Sequence, residues 1–255
     1  MRNLRTVRNA LTFIFGLVLT ATAEADRHFT FSYESYTELP GVIESENRVF
    51  GRVRRHDGRQ TFGLDVHNEI EFGVVPDFQL GVYVANWTYR GGRVGEPAGF
   101  QYESASVEAK YRLMDEHKGK PFGLAILAEI AAGRRFFGLE SRLIIDKRFG
   151  KWQAVYNFIV ETEWSDGNLK SRTITLGQSA GLRYDLARNF SAGLEGRYEA
   201  AFPNQQGPTT HTVFMGPVVS YHVDRFYVTA SAQFQATNVL DEPKFFPRVI
   251  FGFKF

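Results

Sequence analysis

Hydrophobic and polar residues alternate along most of the chain after Gln60. In the stretch TFGLDVHNEIEFGVV, apolar side chains occupy nearly every second position and charged side chains lie between them. A period of two places the two sets on opposite faces of a β-strand. With a strand at HFTFSYES near the N-terminus and another at VIFGFKF at the C-terminus, the pattern predicts an all-β chain of about twelve strands. Each is roughly 9–15 residues long, the length of a tilted membrane-spanning strand.

Two kinds of all-β protein show this alternation. In a soluble sandwich or barrel the apolar face turns inward, whereas in a transmembrane barrel it meets lipid. Aromatic residues such as Trp87, Trp152 and Trp164 lie near predicted strand ends, as they do in interfacial girdles. Tight turns such as PD, FGK, ARN and DR alternate with longer connections such as GGRVGEPAG and FPNQQGPT. These features favour an antiparallel transmembrane up-and-down β-barrel.

The C-terminal strand gives a third indication of the same fold. Val249, Phe251, Phe253 and Phe255 alternate with Ile250, Gly252 and Lys254, and the last residue is a phenylalanine. This ending resembles the C-terminal assembly signal of bacterial outer-membrane proteins. The resemblance implies that the outer-membrane assembly machinery binds this strand and that the strand closes the barrel against the first one. Pro217 lies inside a predicted strand and removes a ladder donor, so we expect a bulge or break there.

Composition and the N-terminus narrow the class of protein further. The 255 residues carry a formal net charge of +2 and include no cysteine. Balanced charge gives no reason to expect a nucleic-acid partner, and the lack of cysteine excludes disulfides and thiolate metal sites. Residues 1–25 have the arginines, the apolar run and the small residues of a secretory signal peptide, with cleavage after Ala23 as the alternative. We expect residues 26–255 to form a single barrel domain in the bacterial outer membrane, in contact with lipid and lipopolysaccharide.

The polar face of the predicted strands is densely charged. In a transmembrane barrel this face lines the lumen, where it either selects solutes or braces a narrow barrel through ion pairs. The candidate lining residues are Asp65, His67, Glu69, Glu71, Glu108, Lys110, Arg112, Glu129, Glu140, Arg142, Glu161, Glu163, Arg183, Glu195, Arg197 and Glu199.

Catalysis and metal binding find little support in the spacing of the residues. A serine nucleophile needs a histidine within hydrogen-bond distance and a third group that orients it. His67 has no serine on its strand, and His222 lies two residues from Ser220. The histidines are scattered, and only Asp65, His67 and Glu69 approach ligand spacing. We therefore expect no enzyme activity, no cofactor and no metal site.

An arginine-rich stretch, ENRVFGRVRRHDGR, is predicted to be a loop on the outer side of the barrel. Its guanidinium groups suit lipopolysaccharide phosphates. Alternatively, a loop over residues 39–59 folds inward as a partial plug.

The chain also resembles the group of outer-membrane transporters named for the MetA pathway of phenol degradation. The likeness lies in EIEFGVVPDFQLGVYV, PFGLAILAEI, FGKWQAVYNFIVETEW and SAGLRYDLARNFSAGLEGRYE. It implies a channel for small polar or aromatic molecules. The resulting hypothesis is a monomeric barrel that passes small solutes passively; the alternative is a non-conducting structural or enzymatic barrel whose lumen is plugged by ion pairs and a loop.

Overall fold

The protein is a closed antiparallel barrel of twelve strands, as the alternation predicts. The computed structural model describes residues 27–56, 59–91, 98–165, 169–204, 210–240 and 242–255, so the predicted signal peptide lies outside the described residues. Each strand pairs with its neighbours in sequence, and the last strand pairs with the first. The strands are β1 Ile43–His56, β2 Arg59–Val75, β3 Phe78–Gly91, β4 Gly99–Met114, β5 Gly123–Gly133, β6 Phe136–Phe149, β7 Trp152–Ser165, β8 Ser171–Ala187, β9 Phe190–Pro203, β10 Thr210–Val223, β11 Phe226–Gln235 and β12 Phe245–Lys254, with one 3-10 turn at Glu116–Lys118.

The outer face of the barrel is apolar. In β5, for example, the side chains of Ile126 and Ile130 are about half exposed. Those of Ala125 and Leu127, which belong to the opposite face of the strand, are buried. A continuous belt of exposed aliphatic and aromatic side chains is stable only against lipid, and closure of the sheet leaves no unpaired edge in the membrane. The chain is therefore an outer-membrane β-barrel. The described residues include no helix of the length and apolarity needed to cross a bilayer.

The two ends of the barrel have different connections. At one end, turns of two residues join the strands at 76–77, 150–151, 188–189 and 224–225, together with a longer connection at 115–122. At the other end the connections include the long segments 92–98, 204–209 and 236–244, although 57–58 and 134–135 are as short as the turns at the opposite end. We call these the short-turn end and the long-loop end. In outer-membrane barrels the short turns face the periplasm.

The C-terminal strand closes the barrel with the side chains of its last alternate positions facing outward. Asn47 of β1 pairs with Phe251 of β12, and Val49 pairs with Val249. Val249, Phe251, Phe253 and Phe255 are 37–59% exposed, whereas Lys254 is buried. The orientation suits lipid contact on one face and the lumen on the other. Recognition of this strand by the assembly machinery stays a prediction.

Three sequence predictions differ from the structure. The segment HFTFSYES is not a strand, because residues 27–38 run irregularly inside the barrel. The arginine-rich stretch is not an outer loop; most of it forms β1, which pairs with β2 and β12 along its length. The chain does not break at Pro217: β10 continues through it in unshifted register with β9, and only the pairing of positions 216 and 217 with β11 is missing.

Candidate functional site

Residues 27–42, which we call the inner segment, lie in the lumen of the barrel as far as Glu38, whereas residues 39–41 are exposed. Phe29, Thr30 and Ser32 are fully buried, and Tyr33 is 4% exposed. The segment has almost no backbone hydrogen bonds of its own, so its polar groups need partners on the barrel wall. Those partners come from strands on all sides of the lumen.

Glu195 of β9 is the principal anchor of the inner segment. Its carboxylate accepts hydrogen bonds from the backbone N–H groups of Thr30 (3.1 Å), Phe31 (2.9 Å) and Ser32 (2.7 Å), and from the Thr30 hydroxyl (2.7 Å). The side-chain amide of Gln233 donates a fifth bond of 3.2 Å. A buried carboxylate that accepts several N–H bonds holds the backbone in one conformation. Glu195 therefore fixes the middle of the segment.

Two arginines hold the carbonyl groups of the same stretch. Arg248 of β12 donates to the Thr30 carbonyl at 2.7 Å, and Arg142 of β6 donates to the Phe31 carbonyl at 3.0 Å. Thr30 and Phe31 are thus held through both their N–H and their C=O groups, by one acidic and two basic side chains.

Further hydrogen bonds hold the remainder of the inner segment. Asn157 of β7 accepts from the Tyr33 backbone N–H at 2.6 Å and donates to its carbonyl at 2.9 Å. The backbone N–H of Glu38 donates to Gln79 at 2.9 Å, and the Glu38 carboxylate lies 2.8 Å from the Lys254 ammonium. These contacts are polar. The rings of the segment add apolar contacts: Phe29 packs with Val155 and Val218, and Tyr33 packs with Ala125, Leu127 and Ile144.

The inner segment separates two cavities. The upper cavity, towards the long-loop end, has a volume of about 400 Å³, and Phe31 and Tyr33 contribute to its lining. The lower cavity, towards the short-turn end, has a volume of about 30 Å³ and is bordered by Glu34, Tyr36 and Glu38. A path for solutes through the barrel has to pass the inner segment.

Six glutamates form a row across the barrel wall that is interrupted at Gly81. Residues paired in successive strands follow the order Lys254, Glu44, Glu71, Gly81, Glu108, Glu129, Glu140 and Glu161. Because the strands are tilted, this row climbs from the short-turn end at β1 to the upper cavity at β7. The strip of wall along this row is therefore rich in carboxylates.

Arginines stack on aromatic rings around the upper cavity. Arg197 and Arg248 lie on β9 and β12, facing the acidic strands, whereas Arg142 lies on β6 at 2.9 Å from Glu140. The Arg248 guanidinium lies 3.9 Å from the centre of the Phe50 ring, and that of Arg142 lies 4.3 Å from the Tyr33 ring. Arg197 lies 4.8 Å from the Phe31 ring. Stacking on rings lets a guanidinium enter a narrow lumen while part of its charge remains compensated. The upper cavity thus has an acidic wall and a basic, aromatic wall.

The other predicted lining residues occupy distinct places in this frame. Asp65 pairs with Arg52 at 2.6 Å beside the upper cavity, where His67 contacts the Phe50 ring edge-on. Arg112 belongs to the short-turn end, where it pairs with Asp77. Glu69 pairs with Arg48, Lys110 lines the lower cavity and Glu163 lines the upper cavity. Arg183 donates a hydrogen bond to Gln153, and Glu199 pairs with Arg197.

Ser220 and His222 of β10 contact the neighbouring strand and the inner segment. The Ser220 hydroxyl lies 2.7 Å from that of Ser191. The His222 ring stacks on His28 with 4.2 Å between ring centres, and His28 pairs with Glu34 at 2.9 Å.

Comparisons with known proteins agree with the fold. A family model described as a family of unknown function, DUF6662, matches residues 143–238. No curated protein matches the sequence. Among solved structures, the COG4313 outer membrane channel from Pseudomonas putida F1 is similar over 91% of this chain and 100% of its own, with 12% identity and a TM-score of 0.60. The β domain of the Bordetella autotransporter BrkA is similar over 84% of this chain and 100% of its own, with 15% identity and a TM-score of 0.54. The KdgM porin in complex with disordered oligogalacturonate is similar over 84% of this chain and 99% of its own, with 11% identity and a TM-score of 0.52. At these identities the similarity concerns the fold.

Proposed function

We propose that this barrel is a passive outer-membrane channel for small polar solutes, and that the inner segment controls the open cross-section. The observation that carries the proposal is the upper cavity, a charge-lined space of about 400 Å³ inside a closed barrel. This space can hold a small solute beside side chains of both charges.

The opposed walls of the upper cavity supply a means of selection. Glu129, Glu140 and Glu161 lie on one side, and Arg248 and Arg52 on the other, so an electric field runs across the lumen. Charged side chains that line a pore favour solutes that present the opposite charge to them. Zwitterionic or strongly dipolar solutes would orient in this field. The rings of Phe31 and Phe50, each beside a guanidinium group, would also accommodate planar or aromatic carboxylates.

Passage beyond the upper cavity requires movement of the inner segment. Most of its contacts with the wall are hydrogen bonds and ion pairs, such as those of Glu195 and Asn157, whereas Phe29 and Tyr33 pack in apolar clusters with wall residues. Water molecules can take over such contacts at modest cost. Local detachment of residues 27–38 from the wall would therefore join the two cavities while the barrel itself stays intact.

Several considerations agree with this proposal. One similar structure is described as an outer membrane channel and another as a porin. The sequence resemblance to the MetA-pathway group of transporters points in the same direction and stays a prediction, since the matching family model has no assigned function. The described lumen is lined by a single chain, so we propose that the monomer is sufficient, with solutes and membrane lipid as its partners.

Liposome swelling with the purified protein tests the proposal. We expect faster entry of a zwitterionic amino acid than of a neutral sugar of similar size. In E140Q, which removes one charge from the acidic wall, this preference decreases while entry of the sugar is maintained. If no solute enters, neither with the wild type nor with a variant whose inner segment is loosened, the barrel is non-conducting and the proposal is wrong.

A further inference from the structure

A second feature of the lumen is a cluster of buried carboxylates between the inner segment and strands β1, β2 and β4. All are at most 6% exposed. Glu38 belongs to the inner segment, and the others belong to the wall. The members of this glutamate cluster are Glu38, Glu44, Glu46, Glu69, Glu71 and Glu108.

The charges of the glutamate cluster do not balance. In the described part of the chain, the cationic side chains that pair with it or line the lower cavity beside it are Arg27, Arg48, Lys110 and Lys254. Arg142, whose charge also reaches Glu108, is paired with Glu140 at 2.9 Å. Six carboxylates and four cations leave two negative charges. Burial of uncompensated charge is costly, so the cluster requires either protons or a bound cation.

The uncompensated negative charge lies near Glu71 and Glu108. Lys254 compensates Glu38 and Glu44, at 2.8 Å and 3.5 Å, and Arg48 contacts Glu46 and one oxygen of Glu69. Glu108, by contrast, is contacted by the hydroxyl groups of Tyr33 and Tyr83, at 3.3 Å and 3.5 Å. Among the described residues, neither Glu108 nor Glu71 has a cation within ion-pair distance.

Glu69, Glu71 and Glu108 converge on a common point. Each offers a carboxylate oxygen, and these oxygens lie within 4.8 Å of one another. Gly81, paired with both Glu71 and Glu108, makes this possible: a Cβ atom there would lie 2.2 Å from Glu69 Oε1. The missing side chain leaves room for the Glu69 carboxylate over β3.

An independent observation points to a ligand at this spot. Glu69 Oε1 and Glu108 Oε1 are both buried and have no hydrogen-bond partner among the described residues. The two residues are 1% and 0% exposed. Buried carboxylate oxygens are rarely left without a partner, because each orphaned atom loses its hydration without compensation.

We propose that Glu69, Glu71 and Glu108 bind one hard divalent cation, Ca²⁺ or Mg²⁺, beneath the inner segment. Oxygen ligands with two surplus negative charges suit these ions, and the absence of thiolate or imidazole from the triad disfavours softer metals. Water from the adjoining lower cavity completes the coordination shell. Since Tyr33 contacts Glu108, the ion also stiffens the floor on which the inner segment rests.

The test is ion binding by the purified, chelator-treated barrel in detergent micelles. Isothermal titration with Ca²⁺ and Mg²⁺, and electron paramagnetic resonance with Mn²⁺ as a probe, should show one site per barrel. E71Q and E108Q should each weaken binding by about ten-fold or more, since each removes a ligand. The matched control is E163Q, a lumen carboxylate of the upper cavity outside the triad, whose affinity should equal that of the wild type. Heat-modifiable migration in gels verifies that every variant is folded.

Two results would overturn the proposal. One is a wild-type barrel that binds none of the three ions at millimolar concentration, with a protonated carboxyl band in the infrared spectrum, which would show that protons balance the cluster. The other is equal binding by E71Q, E108Q and E163Q, which would place the ion elsewhere. If E71Q does not fold, E108Q answers the question alone. None of these results depends on whether the barrel conducts.

Discussion

Replacement of Glu195 by glutamine should detach the middle of the inner segment. In the wild type, one carboxylate oxygen accepts bonds from Phe31 and Ser32, and the other accepts two from Thr30 and one from Gln233. The amide introduced by E195Q keeps one oxygen and places an NH₂ group opposite the remaining donors. At least two of the five hydrogen bonds are therefore lost.

The size of the effect follows from the charge of the acceptor. A hydrogen bond to a charged group contributes about 1.5–3 kcal/mol, so loss of two costs about 3 kcal/mol or more. Each 1.4 kcal/mol corresponds to a factor of ten, and the ratio of detached to attached segment should rise about 100-fold. The barrel strands should keep their stability, because Glu195 contributes no backbone pairing through its side chain.

Hydrogen–deuterium exchange followed by mass spectrometry measures this ratio. Peptides that contain Phe31 and Ser32 should exchange about 100-fold faster in E195Q than in the wild type, while β6 and β7 peptides are unchanged. E199Q is the matched control, since it makes the same chemical change on the same strand at a residue that contacts Arg197. Equal exchange in E195Q and E199Q would refute the assignment of Glu195 as the anchor.

Three further predictions concern other parts of the barrel. G181A should destabilise the protein by about 1–3 kcal/mol in chemical unfolding, because the new Cβ atom would lie 2.3 Å from the Phe29 ring; unchanged stability would mean that Phe29 is not packed there. L143R, on the lipid face, should cost about 2–4 kcal/mol in folding into vesicles if it lies near the bilayer centre; no cost would argue against lipid contact. At the short-turn end, hydrogen bonds from Lys118 lower the pKa of the Asp77 carboxyl. The ionised carboxylate therefore stabilises the fold fully above the ordinary pKa of an aspartate, and this stabilisation is lost as the pH falls through the lowered pKa. Thermal unfolding of D77N and the wild type should therefore differ at neutral pH and converge in acid, and a difference that persists in acid would refute this sign.

The barrel could be predicted from the sequence because each strand carries its own pattern. Ile126 and Glu129, for instance, lie on opposite faces of β5 simply because their positions differ by an odd number. β1 reads as a loop in the sequence, because Arg48 and Arg52 give it the composition of an exposed segment. In the structure these arginines face the lumen and pair with Glu69 and Asp65.

The inner segment could not be predicted from its own residues. Phe29, Phe31 and Tyr33 alternate with polar residues as in any strand of this protein. What keeps the segment out of the sheet is a set of partners far away in sequence, such as Glu195, which is 165 residues from Thr30. The glutamate row has the same origin: each carboxylate is visible in the sequence, but their alignment depends on the register of seven strands.

Single-channel recording in planar bilayers tests the central claim most directly. If the inner segment controls a conducting lumen, the wild type should show small or brief openings, and E195Q should show larger or longer ones. E199Q should behave as the wild type does. Currents that are absent from all three proteins, or identical in E195Q and the wild type despite faster exchange of the segment, would contradict the account.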